Sequence, residues 1–131
     1  MNIGTIQGRL SEPVNGHMQE FPLLEHCGLA HIEWLITKGT AKSNPAFDET
    51  VSLKSLPISS YCADTLVDIR ITDKDYLKEK LLPICESAIR NNIDTITIPL
   101  LEGSNVENPE IRQKFKNLIV EYAEKYPNLK F

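Results

Sequence analysis

Ile93-Asp94-Thr95-Ile96-Thr97-Ile98-Pro99 decides the reading of this chain, because a short β-branched run stands there between two long helical patterns. Isoleucines interleave with Thr95 and Thr97, which suits a pleated strand, and Pro99 closes the run. Upstream, between Asp75 and Asn92, Leu77, Leu81, Ile84 and Ala88 share one stripe. Lys78, Glu79, Lys80 and Glu86 lie largely outside it, the pattern of a helix resting on a sheet. Downstream, Asn108 is placed as an N-cap with Pro109 at the first helical position. Ile111, Phe115, Leu118, Ile119, Tyr122 and Tyr126 then follow one face until Pro127 and Asn128. Strands joined through such helices pair in parallel, since parallel neighbours need a crossover connection.

Working outward, strands are predicted at Asn2 to Gln7, His31 to Ile36, Ile58 to Asp64 and Asp94 to Pro99. Their starts recur at about thirty-residue intervals, the size of a βαβ unit. The nearly continuous Ile32-Glu33-Trp34-Leu35-Ile36 suits a strand covered on both faces. Glu20 to Cys27 reads as a short helix closed by Gly28 as C′ residue, and Phe47, Val51, Leu53 and Leu56 as a weaker helix ending before Pro57. Thr72 and Asp75 predict a capping box, and Pro83 predicts a bend or a local hydration site in the long helix. A fifth strand is expected to begin at Leu129-Lys130-Phe131. Four βα units make half of the roughly 250 residues of a (β/α)8 barrel. The predicted fold class is therefore α/β, a partial (β/α)8 TIM barrel, with residues 1–131 as one domain. A flavodoxin-like doubly wound domain has a similar element count, but no Gly-rich or hydroxyl-rich phosphate loop follows strand one.

Composition is ordinary for a globular domain, with 41% hydrophobic and 24% charged residues. The net charge of -4 gives no attraction to nucleic acid or to an anionic membrane, so neither is an expected partner. Cys27, Cys62 and Cys85 form no C-x-x-C pair, and His17, His26 and His31 match no zinc spacing. Met1 leads into Ile3-Gly4-Thr5-Ile6 without a basic leader, and no apolar run approaches a membrane span. A reducing, cytoplasmic setting is expected.

In parallel α/β folds, the loops leaving the C-terminal ends of the strands carry the chemistry. Those ends read Gln7-Gly8-Arg9-Leu10-Ser11, Glu33-Trp34, Cys62-Ala63-Asp64 and Ile98-Pro99-Leu100-Leu101-Glu102-Gly103-Ser104. Together with Ile3-Gly4, Gly28-Leu29-x-x-Ile32, and Ser60, this ordered set resembles the sugar phosphate isomerase/epimerase group of xylose-isomerase-like TIM barrels across the whole chain. The resemblance implies proton transfer next to a carbonyl of a sugar or sugar phosphate, through an enediolate stabilised by a divalent metal, Mn, Mg, Co or Zn. It places the Glu, Asp, His and Glu metal ligands chiefly on strands five to eight. No residue of this chain inherits such a role, and no metal is expected on it alone.

Candidate substrate-binding residues are Gln7, Arg9, Glu33, Cys62, Asp64 and Glu102. Arg9, Glu33, Asp64 and Cys62 have a plainer alternative. Arg9 either grips a phosphate or carboxylate, or forms an orienting salt bridge. Glu33 either accepts from a sugar hydroxyl or pairs with Arg9. Asp64 either contacts substrate or caps the following turn, and Cys62 suits a small buried hydrophobe. Glu102 belongs to a strand-to-helix loop whose lone Gly103 is no phosphate signature. Trp34 either packs between strand and helix or walls a sugar pocket. A second class of reading is a non-catalytic half-barrel that self-associates into a homo-oligomer through strand edges at Asn2 to Gln7 and Leu129 to Phe131. The DNA-repair nucleases of the same superfamily need several His after strands two and three, and this chain has none beyond His31.

Overall fold

The computed structural model describes residues 2–8, 18, 20–38 and 43–131. Strands β1 (Gly4–Ile6), β2 (His31–Leu35), β3 (Ile58–Cys62) and β4 (Ile96–Thr97) form one parallel sheet in the order β1-β2-β3-β4. Helices α1 (Glu20–His26), α2 (Lys74–Arg90) and α3 (Pro109–Lys125) accompany them. Lys130 makes a parallel bridge to Thr95, with the Ile96 N–H donating to the Lys130 carbonyl at 2.9 Å. The chain at Lys130 thus runs beside β4, where the fifth strand is expected. This sequential order differs from the flavodoxin-like one, in which the first strand lies inside the sheet.

The core lies on one face. Trp34, Ile36, Tyr61, Ala63 and Ile96 are buried in one cluster with Leu77, Leu81, Ile84 and Ala88 of α2, and Ile32 is buried on the same face of β2. Phe21 of α1 stacks on Trp34 with ring centroids 5.8 Å apart. Helix α3 joins through the half-buried Phe115, Leu118, Ile119, Tyr122 and Tyr126. On β2 buried and half-buried residues alternate, so His31, Glu33 and Leu35 lie on the face opposite Ile32 and Trp34. That corrects the expectation of cover on both sides: among the described residues, no helix packs on the second face.

A shift in the β2–β3 register sets what that second face carries. Ile32 pairs with Ile58, but Glu33 pairs with Ser60, so Ser59 is the extra residue of a bulge. Its hydroxyl donates to the Ile32 carbonyl at 3.3 Å. Ile58 consequently packs against the core, as does Tyr61 three positions on, while Ser60 and Cys62 accompany Glu33 and Leu35.

Between β2 and β3 the described residues contain no α-helix, contrary to the sequence expectation. A 3-10 turn at Pro45–Phe47 is followed by turns and extended chain. Polar clamps replace helical hydrogen bonds. Asn44 Oδ1 accepts from Trp34 Nε1 at 2.8 Å and from the Ala46 N–H at 3.0 Å, and its Nδ2 donates to the Leu35 carbonyl. From α2, Ser87 Oγ and Arg90 Nη2 both donate to the Ala46 carbonyl, and Asn91 Oδ1 accepts from the Leu53 N–H at 3.0 Å. Tyr61 Oη sits within the same buried group, accepting from Asn91 Nδ2 at 3.3 Å. Satisfying these backbone groups lets an irregular segment lie in the interior.

Helix ends follow local chemistry with one correction. Asp73, not Thr72, caps α2, accepting from the Tyr76 N–H at 2.9 Å. The helix is continuous through the exposed Pro83. Asn108 and Pro109 begin α3 as expected, with Asn108 accepting from the N–H groups of Glu110 and Ile111. Helix α1 ends as predicted at Gly28, whose φ of 67° permits the Leu29 N–H to reach the Leu24 carbonyl at 2.9 Å. Asn92, at φ 59°, performs the same reversal after α2, with the Ile93 N–H on the Ala88 carbonyl.

Asn91→Ala strands the buried Leu53 N–H and should lower unfolding stability by about 1–3 kcal/mol. Urea denaturation followed by far-UV circular dichroism checks this; an unchanged midpoint would show that the clamp does not hold the segment.

Candidate functional site

Glu33 leaves β2 on the uncovered face and reaches across β3. Its Oε1 accepts from Ser60 Oγ at 3.1 Å and from Thr97 Oγ1 of β4 at 2.7 Å. Ser60 is level with Glu33 in the sheet, whereas Thr97 is level with Cys62 and, through it, Leu35. The carboxylate therefore leans toward the C-terminal end of the strands, the functional end in parallel sheets. No cation pairs with it among the described residues. On its other side, toward the starts of β2 and β3, opens a depression of about 310 Å³ whose walls include Gly4, His31, Glu33, Ser59 and Ser60. Gly4 leaves room for the His31 imidazole: a Cβ there would fall 2.2 Å from the ring and displace it.

The structure places the other sequence-predicted residues unevenly. Gln7 is buried, and its Oε1 accepts from the Leu35 N–H at 3.0 Å, extending the β1–β2 ladder. Arg9 lies outside the described residues. Cys62 is buried next to the carboxylates of Glu33 and Asp64; burial first, then that negative field, pushes its thiol up to about 11. Asp64 opens the 3-10 turn Asp64–Leu66, whose N-cap is Ala63, so the capping alternative is not realised. Glu102 is exposed at the head of the turn Glu102–Ser104 with φ 51°, a left-handed backbone that few non-glycine residues adopt. Ser104 holds that turn by donating to the carbonyls of Pro99 and Leu101, both at 2.9 Å. Trp34 is fully buried on the helix side.

Two groups that the sequence did not single out shape the same end. Glu20, only 1% exposed, accepts from the Gly8 N–H at 2.6 Å and so ties the turn after β1 to the start of α1. Asp68 binds Arg70 through both oxygens, at 3.0 and 3.1 Å, and Lys38 at 3.2 Å. The hydrogen bonds from the Arg70 side chain, then its backbone N–H, hold the Asp68 carboxyl well below the usual carboxylate range, with Lys38 adding to them. Gly103 approaches this loop, a Cβ there meeting the Ile69 backbone nitrogen at 3.4 Å. The turns after β3 and β4 thus brace each other.

Around Glu33 the donor set is one carboxylate and two hydroxyls. That does not fit a divalent-metal cage, and no group of three or more His, Cys, Asp or Glu converges among the described residues. The arrangement instead fixes one carboxylate oxygen and leaves the other, Oε2, without a partner among the described residues. No helix there is long and apolar enough to cross a membrane. No protein-family model matches this chain, and no curated protein matches it.

Asp68 is depressed in the folded state, so its contribution to stability is present above the unfolded carboxylate value of about 3.9 and is lost as pH falls through the lower folded value. Asp68→Asn should lower the melting temperature at neutral pH and flatten its decline below about pH 4. Parallel acid limbs in both proteins would refute the assignment. Among the thiols, Cys27 is exposed, while burial raises Cys62 to about 11 and Cys85 to about 12. An aromatic disulfide reagent at neutral pH should titrate Cys27 rapidly and the other two only after denaturation. Rapid reaction at Cys62 would contradict the closed setting of that strand end.

Proposed function

We propose that this chain builds the first four βα units of a (β/α)8-type sugar isomerase or epimerase, with Glu33 accepting a hydrogen bond from a substrate hydroxyl. The observation that carries this reading is the Glu33 carboxylate on the face that no described helix covers, one oxygen fixed by Ser60 and Thr97 and the other without a partner among the described residues. Sequential parallel order and helices packed against one side support the architecture, because a barrel needs both. The bridge from Thr95 to Lys130 extends the same order by one strand.

In this reading the reaction moves a proton between carbons flanking a sugar carbonyl, and strands beyond those described supply the metal and the acid–base groups. Glu33 binds and orients. A carboxylate gripped by two hydroxyls cannot swing away, so a sugar hydroxyl meeting Oε2 is fixed in direction as well as in place. A second reading, self-association of a non-catalytic half-barrel, is favoured by the free edge of β1, which pairs only with β2 among the described residues and leaves Ile3 and Ile6 exposed. Sedimentation velocity separates a monomer from a dimer.

Saturation-transfer NMR on the full chain should detect a ketose or aldose, and Glu33→Ala should remove most of the signal while leaving the melting curve in place. Transfer to no sugar, phosphorylated or neutral, would overturn the proposal. Equal transfer in the variant would take Glu33 out of the site.

A further inference from the structure

We infer that the Glu33 subsite takes the neutral, hydroxylated end of its ligand and rejects a phosphorylated one. This rests on the sugar-handling reading above and narrows its substrate class. Hydrogen-bond polarity sets this preference. Ser60 and Thr97 each spend their single hydroxyl proton on Glu33 Oε1. What they still offer is lone pairs, and Glu33 Oε2 offers more of the same. Of these groups Glu33 and Ser60 line the depression and present acceptors to it, the complement of a ligand whose hydroxyls donate. A phosphate dianion brings only acceptors and two charges of the wrong sign.

Among the described residues, Lys38, Arg70 and Arg112 are engaged elsewhere. No lysine or arginine lines the depression among the described residues. Lys38 and Arg70 are both bound to Asp68, and Lys38 also to the Val67 carbonyl at 2.8 Å. Arg112 donates to the backbone carbonyls of Val106 and Glu107 at 3.1 and 3.2 Å. His31 stands in the wall over Gly4, two positions before Glu33 on the same face of β2.

The test compares a neutral triose or tetrose with its monophosphate, ligands too short to place the phosphate far from Glu33. At about pH 8 and low ionic strength, where charge discrimination is screened least, saturation transfer to the full chain should favour the neutral sugar by about tenfold or more. Glu33→Gln keeps an oxygen for Ser60 and Thr97 but turns Oε2 into an amide donor without charge. The preference should then fall to about threefold or less, chiefly through improved binding of the phosphate ester. A residue that merely supports the sheet would weaken both ligands alike. Equal or tighter binding of the monophosphate by the unmodified chain, lost on Arg9→Ala, would overturn this inference while sparing the sugar-handling reading. Binding of neither ligand class would overturn both.

Discussion

Parallel strands laid down in the order 1-2-3-4 must be joined by crossovers, and crossovers between parallel strands are right-handed in nearly all proteins. When the order never reverses, that handedness returns every connection on the same side of the sheet. The helix-bound core of Trp34, Tyr61, Ile96 and the apolar stripe of α2 is the consequence. So is the opposite face, where Glu33, Ser60 and Thr97 stand without a helix over them among the described residues. A single topological constraint thus divides the molecule into a stabilising side and a side free for chemistry.

The second crossover shows how the stabilising side tolerates irregular chain. A helix would satisfy its own backbone groups; the segment after Pro45 relies on side chains instead. Asn44, Ser87, Arg90 and Asn91 supply the missing partners, and Trp34 and Tyr61 add their polar tips. Most polar atoms of that network find a counterpart, the condition under which interior polar groups stabilise a fold, while the buried Arg90 Nε has no partner among the described residues.

On the open side, the bulge at Ser59 converts a pairing into a site. Without it Glu33 would stand level with a different residue, and the short hydroxyl contact from Ser60 would not form. The bulge also lets Ile58 and Tyr61 both reach the core despite being three positions apart. Core packing and site geometry are therefore set by the same inserted residue, consistent with bulges that re-aim side chains near functional positions.

Much of the fold was legible in the sequence. Strand positions, the parallel order implied by intervening helices, the helix stop at Gly28 and the helix start at Asn108, and the approach of Lys130 to the sheet all follow from local signals with period, cap or turn chemistry behind them. The candidate residues at the strand ends were legible too, as a neighbourhood. Tertiary structure alone decided their roles. It turned Gln7 into a ladder acceptor, sent Trp34 to the helix side, replaced the expected second helix with clamped loop, and gave Glu33 its two hydroxyl donors. These outcomes depend on which residue meets which across strands 27 to 64 positions apart, and a bulge that breaks the two-residue period leaves no trace in a pattern read along one chain.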